Sequence, residues 1–342
     1  MKCVFCFSAV IVLVLSELAM GQSKSASQMA ADPATGSLVV VAQGNNSVTR
    51  IDPETGAKLL VITTPEVRAH EVAISPDNCW AYLPIYGDSG VGLPGSSGRD
   101  VEVLDLQKGT LSSSIDLGRP VRPHCAKFGP DGLLYVTAEL DNAIDIIDPR
   151  QGKKVGSIDT QKPESHMLAI TRDGKRGYTA NVGSGTVSVL DLVARKPIAV
   201  IPVAENVQRI SLSVDDRWVF TSDQKQPRLA VIDTSTQKVA NWIALPSTGY
   251  GTAPTPDGKW LLVSMPGAAQ VAVVDLSAMK VDRTIAVGQH PVQILVRTDQ
   301  PIAYVSSMND GKVAVLDLKQ WKVTKMLDVA PGADGLGWVA GK

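Results

Sequence analysis

FGPDGLLYVTAELDNAIDIIDPRQGKKVGSI, residues 128–158, holds one complete turn of the plan that the whole chain repeats. An apolar residue leads into a Pro-Asp-Gly turn. The strand-type run LLYVTA (133–138) follows, then a small loop. A second run ends in Ile-Ile-Asp at Asp148, and a third follows the next turn. Short β-branched and aromatic runs bounded by Gly, Pro, Asn and Asp read as strands joined by tight turns. The same turn recurs as SPDN (75–78), TRDG (171–174), SVDD (213–216), TPDG (255–258) and RTDQ (297–300), and a degenerate copy, ADPATG, stands at 31–36. From residue 129 onward the starts are 42 residues apart; the first interval is 54, so one unit carries 12 extra residues.

An apolar alternation before each turn supplies one more strand, so each unit holds four strands. That is the size and plan of a propeller blade. A hydrophobic-Asp ending marks the third strand seven times, at Asp52, Asp105, Asp148, Asp191, Asp233, Asp275 and Asp317. The expectation is an all-β, seven-bladed β-propeller with four antiparallel strands per blade. Blade 1 lacks an innermost strand of its own. GLGWVAG (335–341) is expected to supply it and close the ring, which removes exposed sheet edges; residues 28–31 compete for that slot.

GYTANVGSGTVSVLDL (177–192) resembles the repeat of the YVTN family of seven-bladed propellers, which is related to lactonase-like propellers, and LYVTAELDNAIDIID (134–148) fits it too. The resemblance spans essentially all of the chain after residue 21. It implies the propeller fold. It implies no particular activity, because such propellers include enzymes, binding proteins and surface proteins.

Composition narrows the setting. With 44% hydrophobic residues among 342 the chain can bury a large core, and 50 Gly and Pro residues suit many turns. Lys and Arg number 33 against 34 Asp and Glu, with no basic run, so nucleic acid is not an expected partner. Lys2, the apolar run Val4–Leu15 and Ala19-Met20-Gly21 read as a signal peptide (1–21), cleaved to leave 22–342 as a single propeller domain, periplasmic or secreted and monomeric. No later segment is apolar enough for a membrane span. Cys79 and Cys125 remain after cleavage; the repeat phase puts them near opposite ends of strands, which argues against a disulfide.

The four histidines fall in phase. Counting back from each turn, the first residues of the innermost strands are His70, His124, His166, Gln208, Tyr250, Val292 and Asp334. Two positions earlier stand Arg68, Arg122, Glu164, Asn206, Thr248, His290 and Gly332. All four histidines are therefore expected in the loops leading into innermost strands, ringing one mouth of the central channel. The insert, roughly YGDSGVGLPGSSG (86–98), should emerge over the same mouth as a mobile flap. Three imidazoles from consecutive blades can hold a transition metal (Zn, Cu or Fe) with an open position, with Asp334 as a further ligand. Arg68, Arg122, Glu164, Gln208, Tyr250 and His290 would then bind a small anionic molecule, the arginines orienting its charge.

Other signals are structural. The seven phased aspartates suit Asx turns. Trp80, Trp218 and Trp260 share a phase with Leu134 and Ile302, which suits packing between blades. No Gly-x-Ser-x-Gly elbow, haem-attachment motif or phosphate loop occurs. Three functions remain: a ligand-binding protein, a metal-assisted hydrolase, lactonase or lyase, and a scaffold for a partner protein.

Overall fold

The computed structural model describes residues 33–64, 68–88 and 90–341; the signal-peptide reading and residues 28–31 lie outside them. These residues build seven four-stranded antiparallel sheets arranged as the blades of a β-propeller. Blade 3 is typical. Pro123–Phe128 is innermost, followed outward by Leu134–Ala138, Ala143–Asp148 and Lys153–Asp159. Among the described residues no helix is long and apolar enough to cross a membrane.

Burial grades outward through each blade. Ala143–Asp148 is buried at every position, whereas in the outermost Lys153–Asp159 only Ile158 is fully buried. The outermost strands begin at Lys58, Thr110, Lys153, Lys196, Lys238, Lys280 and Lys322. A charged side chain at an open edge discourages pairing with another chain. In every blade the register between the third and fourth strands shifts at one equivalent step, as between Ile146 and Ile147 in blade 3. Such a bulge increases local twist.

The phased aspartates behave as Asx turns. Asp148 accepts the Arg150 amide at 2.9 Å, and Asp317 accepts those of Lys319 and Gln320 at 2.7 and 2.8 Å. A second set stabilises the first turn. Thr171 and Thr255 donate their hydroxyls to Asp173 and Asp257 at 2.7 and 2.5 Å. Trp80, Trp218 and Trp260 are half-buried against the apolar clusters between neighbouring blades. Cys125 is a free, buried thiol, so it forms no bridge with Cys79.

Closure joins the two ends of the chain. Ala333–Val339 is the innermost strand of blade 1 and pairs with Ser37–Ala42, with Leu38 opposite Trp338 and Val40 opposite Leu336. Leu336 packs with Leu38, Val40 and Tyr304, joining blades 1 and 7. Leu336→Ala should lower unfolding free energy by about 3 kcal/mol in urea titration. A chain ending at Val329 should lose its cooperative melt and associate through the uncovered edge of Ser37–Ala42, as read by circular dichroism and gel filtration.

Candidate functional site

The mouth is built from strand starts, strand ends and one long loop. His124 and His166 lie within their innermost strands, Pro123–Phe128 and Ser165–Ile170, rather than in the loops ahead of them. His70 stays in a loop because the innermost strand of blade 2 is short, Ala73–Ile74. The three imidazoles come together around Tyr86. Ring centroids lie 5.2 Å apart for His70 and His124 and 3.6 Å for His124 and His166, and Tyr86 is 4.8 Å from His70 and 5.3 Å from His124.

Glu139 organises this cluster. Its buried carboxylate accepts the Tyr86 hydroxyl at 2.7 Å on one oxygen and contacts His166 Nδ1 with the other. The other ring nitrogen of His166, Nε2, lies 3.1 Å from the side-chain amide nitrogen of Gln208. Both ring nitrogens of His166 are thus engaged. His70 Nε2 and His124 Nδ1 are sealed from solvent and have no hydrogen-bond partner. Buried polar atoms are seldom left so.

Electrostatics keep these two rings neutral. Burial, then His166 and Arg209, lower His70 to about 3. Burial, then His166 and His70, hold His124 well below the usual imidazole range. Burial, then the Glu139 carboxylate, push the Tyr86 phenol up, and the same two causes raise Glu164.

The insert emerges over this mouth, between Trp80–Pro84 and Asp100–Asp105. It is tied down on several sides. Gly98 N donates to Tyr86 O at 2.8 Å, and Ser96 N to Asp88 Oδ1 at 2.6 Å. Arg122 donates Nε to Ser97 Oγ at 3.0 Å and Nη2 to Leu93 O at 2.9 Å. Arg122 therefore holds the loop with two of its donors instead of facing an anion.

Arg122, Glu164, His290 and Gly332, all in one phase, share a left-handed backbone, with φ of 52°, 57°, 56° and 80°. That row makes a turn in each of these blades. His290 is exposed and stands apart from the other three histidines; its carbonyl accepts the Met308 amide. Arg68 is exposed beside the mouth, close enough for its charge to depress His70.

Asp334 does not join the imidazoles. It accepts Arg209 Nη2 at 3.1 Å and Gln43 Nε2 at 2.9 Å, while Glu71 takes Arg209 Nη1. A carboxylate on the channel axis is drawn to the buried guanidinium, and Arg209 from blade 5 draws on blades 1 and 2 together. Tyr250 lies beside the same guanidinium, 5.1 Å from its ring. Burial opposes the charge of Arg209, but Glu71, Tyr250 and Asp334 outweigh it and hold the side chain protonated. Burial and Glu71 push Asp334 up to about 7, against Arg209 and Gln43.

Among the described residues, no group of three or more His, Cys, Asp or Glu side chains is arranged to hold a metal ion. His70 Nε2 and His124 Nδ1 are the imidazole nitrogens of the cluster left without partners. Glu139 was the chief residue missed in the sequence, and its signal was there. Gln43, Ile85, Glu139, Asn181, Asp223, Met265 and Ser307 share one repeat phase at, or one residue past, the ends of the second strands, and five of the seven are polar. Glu71 and Arg209 stand one residue after the histidine row, in the phase of Cys125 and Met167, where nothing distinguishes them by spacing.

No family model matches the chain. A WD repeat-containing protein, SL1-17 of Schistosoma mansoni, is 30% identical over 137 residues, 39% of this chain and 45% of its own length. The match thus spans less than half of that relative. Hydrazine synthase of Kuenenia stuttgartiensis is a structural neighbour, with a TM-score of 0.71 at 21% identity over 87% of this chain and 99% of that one. Dihydro-heme d1 dehydrogenase NirN, in complex with DHE, gives 0.65 at 14% identity over 90% and 76%. At these identities the likeness establishes the propeller fold alone.

The neutral histidines set a pH dependence. His70 and His124 hold fewer protons folded than unfolded, where an imidazole titrates near about 6.5. Their stabilising contribution is complete above that value and is lost as pH falls toward the folded pKa. Asp334 has the opposite sign: its contribution is present at low pH and fades as pH rises through about 7. The difference between parent and variant therefore isolates the imidazoles. Between pH 6.5 and 4.5, His70→Gln/His124→Gln should flatten the pH dependence of unfolding free energy by up to about 1.4 kcal/mol per pH unit for each histidine, read from urea titrations.

Proposed function

We propose that this chain is an exported ligand-binding propeller of the YVTN type, whose histidine cluster takes up a small molecule with an anionic group. The observation that carries this reading is the pair of unpartnered nitrogens, His70 Nε2 and His124 Nδ1, on neighbouring rings whose centroids lie 5.2 Å apart. A ligand offering hydrogen-bond groups would satisfy both, which a dry apolar core could not. The exposed Arg68 at the rim favours an anion on approach.

An anion buried beside two neutral imidazoles favours their protonation, so binding should draw in protons from solvent. Affinity for a binding carboxylate should then rise as pH falls from 7 to 6, by up to about tenfold for each proton taken up. Calorimetry in buffers of different ionisation enthalpy measures that uptake. His124→Ala should reduce it, His70→Ala/His124→Ala should abolish it, and deletion of residues 88–98 should weaken binding while the fold remains. Binding that is independent of pH and of His124 would refute this reading.

A transition metal held by His70, His124 and His166 is the second reading, favoured by the same two free nitrogens. It requires His166 to exchange one of its hydrogen bonds, to Glu139 or Gln208, for the metal. Elemental analysis of the purified protein beside a His70/His124/His166 triple alanine variant decides it: about one metal per chain in the parent alone supports the metal, and equal, negligible metal removes it. Hydrolysis of a lactone or related ester would follow only from the metal-bearing form. If deletion of the insert altered capture of a partner protein alone, the chain would be a scaffold.

A further inference from the structure

Tryptophans gather on the face opposite the histidines. The turns after the first and third strands of each blade lie at that end. Trp218 and Trp260 begin the second strands of blades 5 and 6, and Trp321 follows the third strand of blade 7. Two grooves open there, one of about 630 Å³ between blades 5 and 6 and one of about 390 Å³ between blades 6 and 7. Trp218 and Trp260 line the first, Trp260 and Trp321 the second, and the two grooves meet at Trp260 and Asp257. Both volumes fall within the range of small-molecule sites, about 300–1,000 Å³.

Trp321 is set there at a cost. Its backbone is left-handed, with φ of 54°, at a position that blades 1, 2 and 3 fill with Gly56, Gly109 and Gly152. A bulky side chain in this conformation is strained, and such strain collects at functional sites. Packing between blades does not demand an aromatic ring here, because blades 4, 5 and 6 carry Arg195, Gln237 and Met279. The Trp321 ring meets Trp260 edge to face, with centroids 5.3 Å apart.

The polar groups around these rings are available. Among the described residues neither the Trp260 nor the Trp321 indole N–H donates to the protein, and neither is sealed from solvent. The side chains of Thr298 and Gln300, on the second groove, are also unpaired. Charge selects neither a cation nor an anion. Asp215, Asp257 and Asp275 accept hydroxyls inside their own turns, Asp299 is paired with Arg297, and Lys259 and Lys319 stand among them. Flat apolar rings edged by free donors and acceptors suit a neutral ligand with C–H faces and a rim of hydroxyls.

We propose that the two grooves form a binding surface for a neutral oligosaccharide. Its sugar rings lie on the tryptophans, and its hydroxyls exchange hydrogen bonds with the indole N–H groups, Thr298 and Gln300. The surface shares no residue with the histidine cluster, and either can exist without the other.

The test titrates the whole protein with cellohexaose, maltohexaose and N-acetylated chitohexaose, each beside its disaccharide, and with a proline decapeptide. Calorimetry and tryptophan fluorescence read binding. At least one hexasaccharide should bind and change the fluorescence, and its disaccharide, reaching one groove only, should bind at least about tenfold more weakly. Trp321→Gly and Trp321→Gln, which place there the residues of other blades, should keep the circular dichroism of the parent and weaken binding about tenfold. Trp321→Phe should retain most of it, and His124→Ala should leave it unchanged. The proposal is overturned if no hexasaccharide binds, if binding survives both Trp321→Gly and Trp321→Gln, or if the disaccharide matches the hexasaccharide. Binding of the proline peptide with none of the saccharides would overturn it in favour of a peptide groove.

Discussion

The pairing of Ala333–Val339 with Ser37–Ala42 sets the geometry on which everything else in this protein rests. A single blade is a four-stranded sheet that buries its faces only against its neighbours. Without closure, blades 1 and 7 would each present an open apolar face, and the angles between blades would be unconstrained. With closure, the innermost strands surround one channel. Both polar clusters depend on it. Arg209 of blade 5 meets Glu71 of blade 2 and Asp334 of the closing strand, residues 138 and 125 positions away in the chain.

Charge is arranged in layers along the channel. At the mouth, Glu139 binds His166 and Tyr86 and fixes their orientation. The neighbouring imidazoles of His70 and His124 stay neutral because burial and nearby positive charge oppose their protonation. In the next layer, two carboxylates surround one guanidinium. A buried pair of this kind costs desolvation on each member and is sustained by its hydrogen bonds. The absent bond at Arg209 Nε is therefore conspicuous in a cluster whose other donors are met.

The insert in blade 2 closes the mouth by specific bonds rather than by bulk. Tyr86, at its start, is fully buried and supplies a wall shared by all three imidazoles. Arg122 pins its far side. A Gly/Ser-rich composition suggests a mobile flap; two bonds within the insert and two from Arg122 hold it instead, and loop composition does not encode the latter.

The repeat alone determined the architecture, because each blade signals its turns and strand ends locally. Seven Asp-terminated third strands gave the blade number, and the unpaired first blade pointed to closure by the C-terminus. The register also placed His70, His124 and His166 on adjacent blades at one mouth, since strands of equal phase begin at equal height. What side chains do there was beyond it. Two residues in one phase can face different partners: His166 meets Glu139, whereas Asp334 meets Arg209. His290 shares the phase of Arg122 and Glu164, yet a left-handed backbone and an exposed loop leave it outside the cluster. Periodicity fixes where a backbone position lies around the ring, while partners are chosen by charge and reach across the channel, between residues more than a hundred positions apart. Only the closed tertiary structure brings those together.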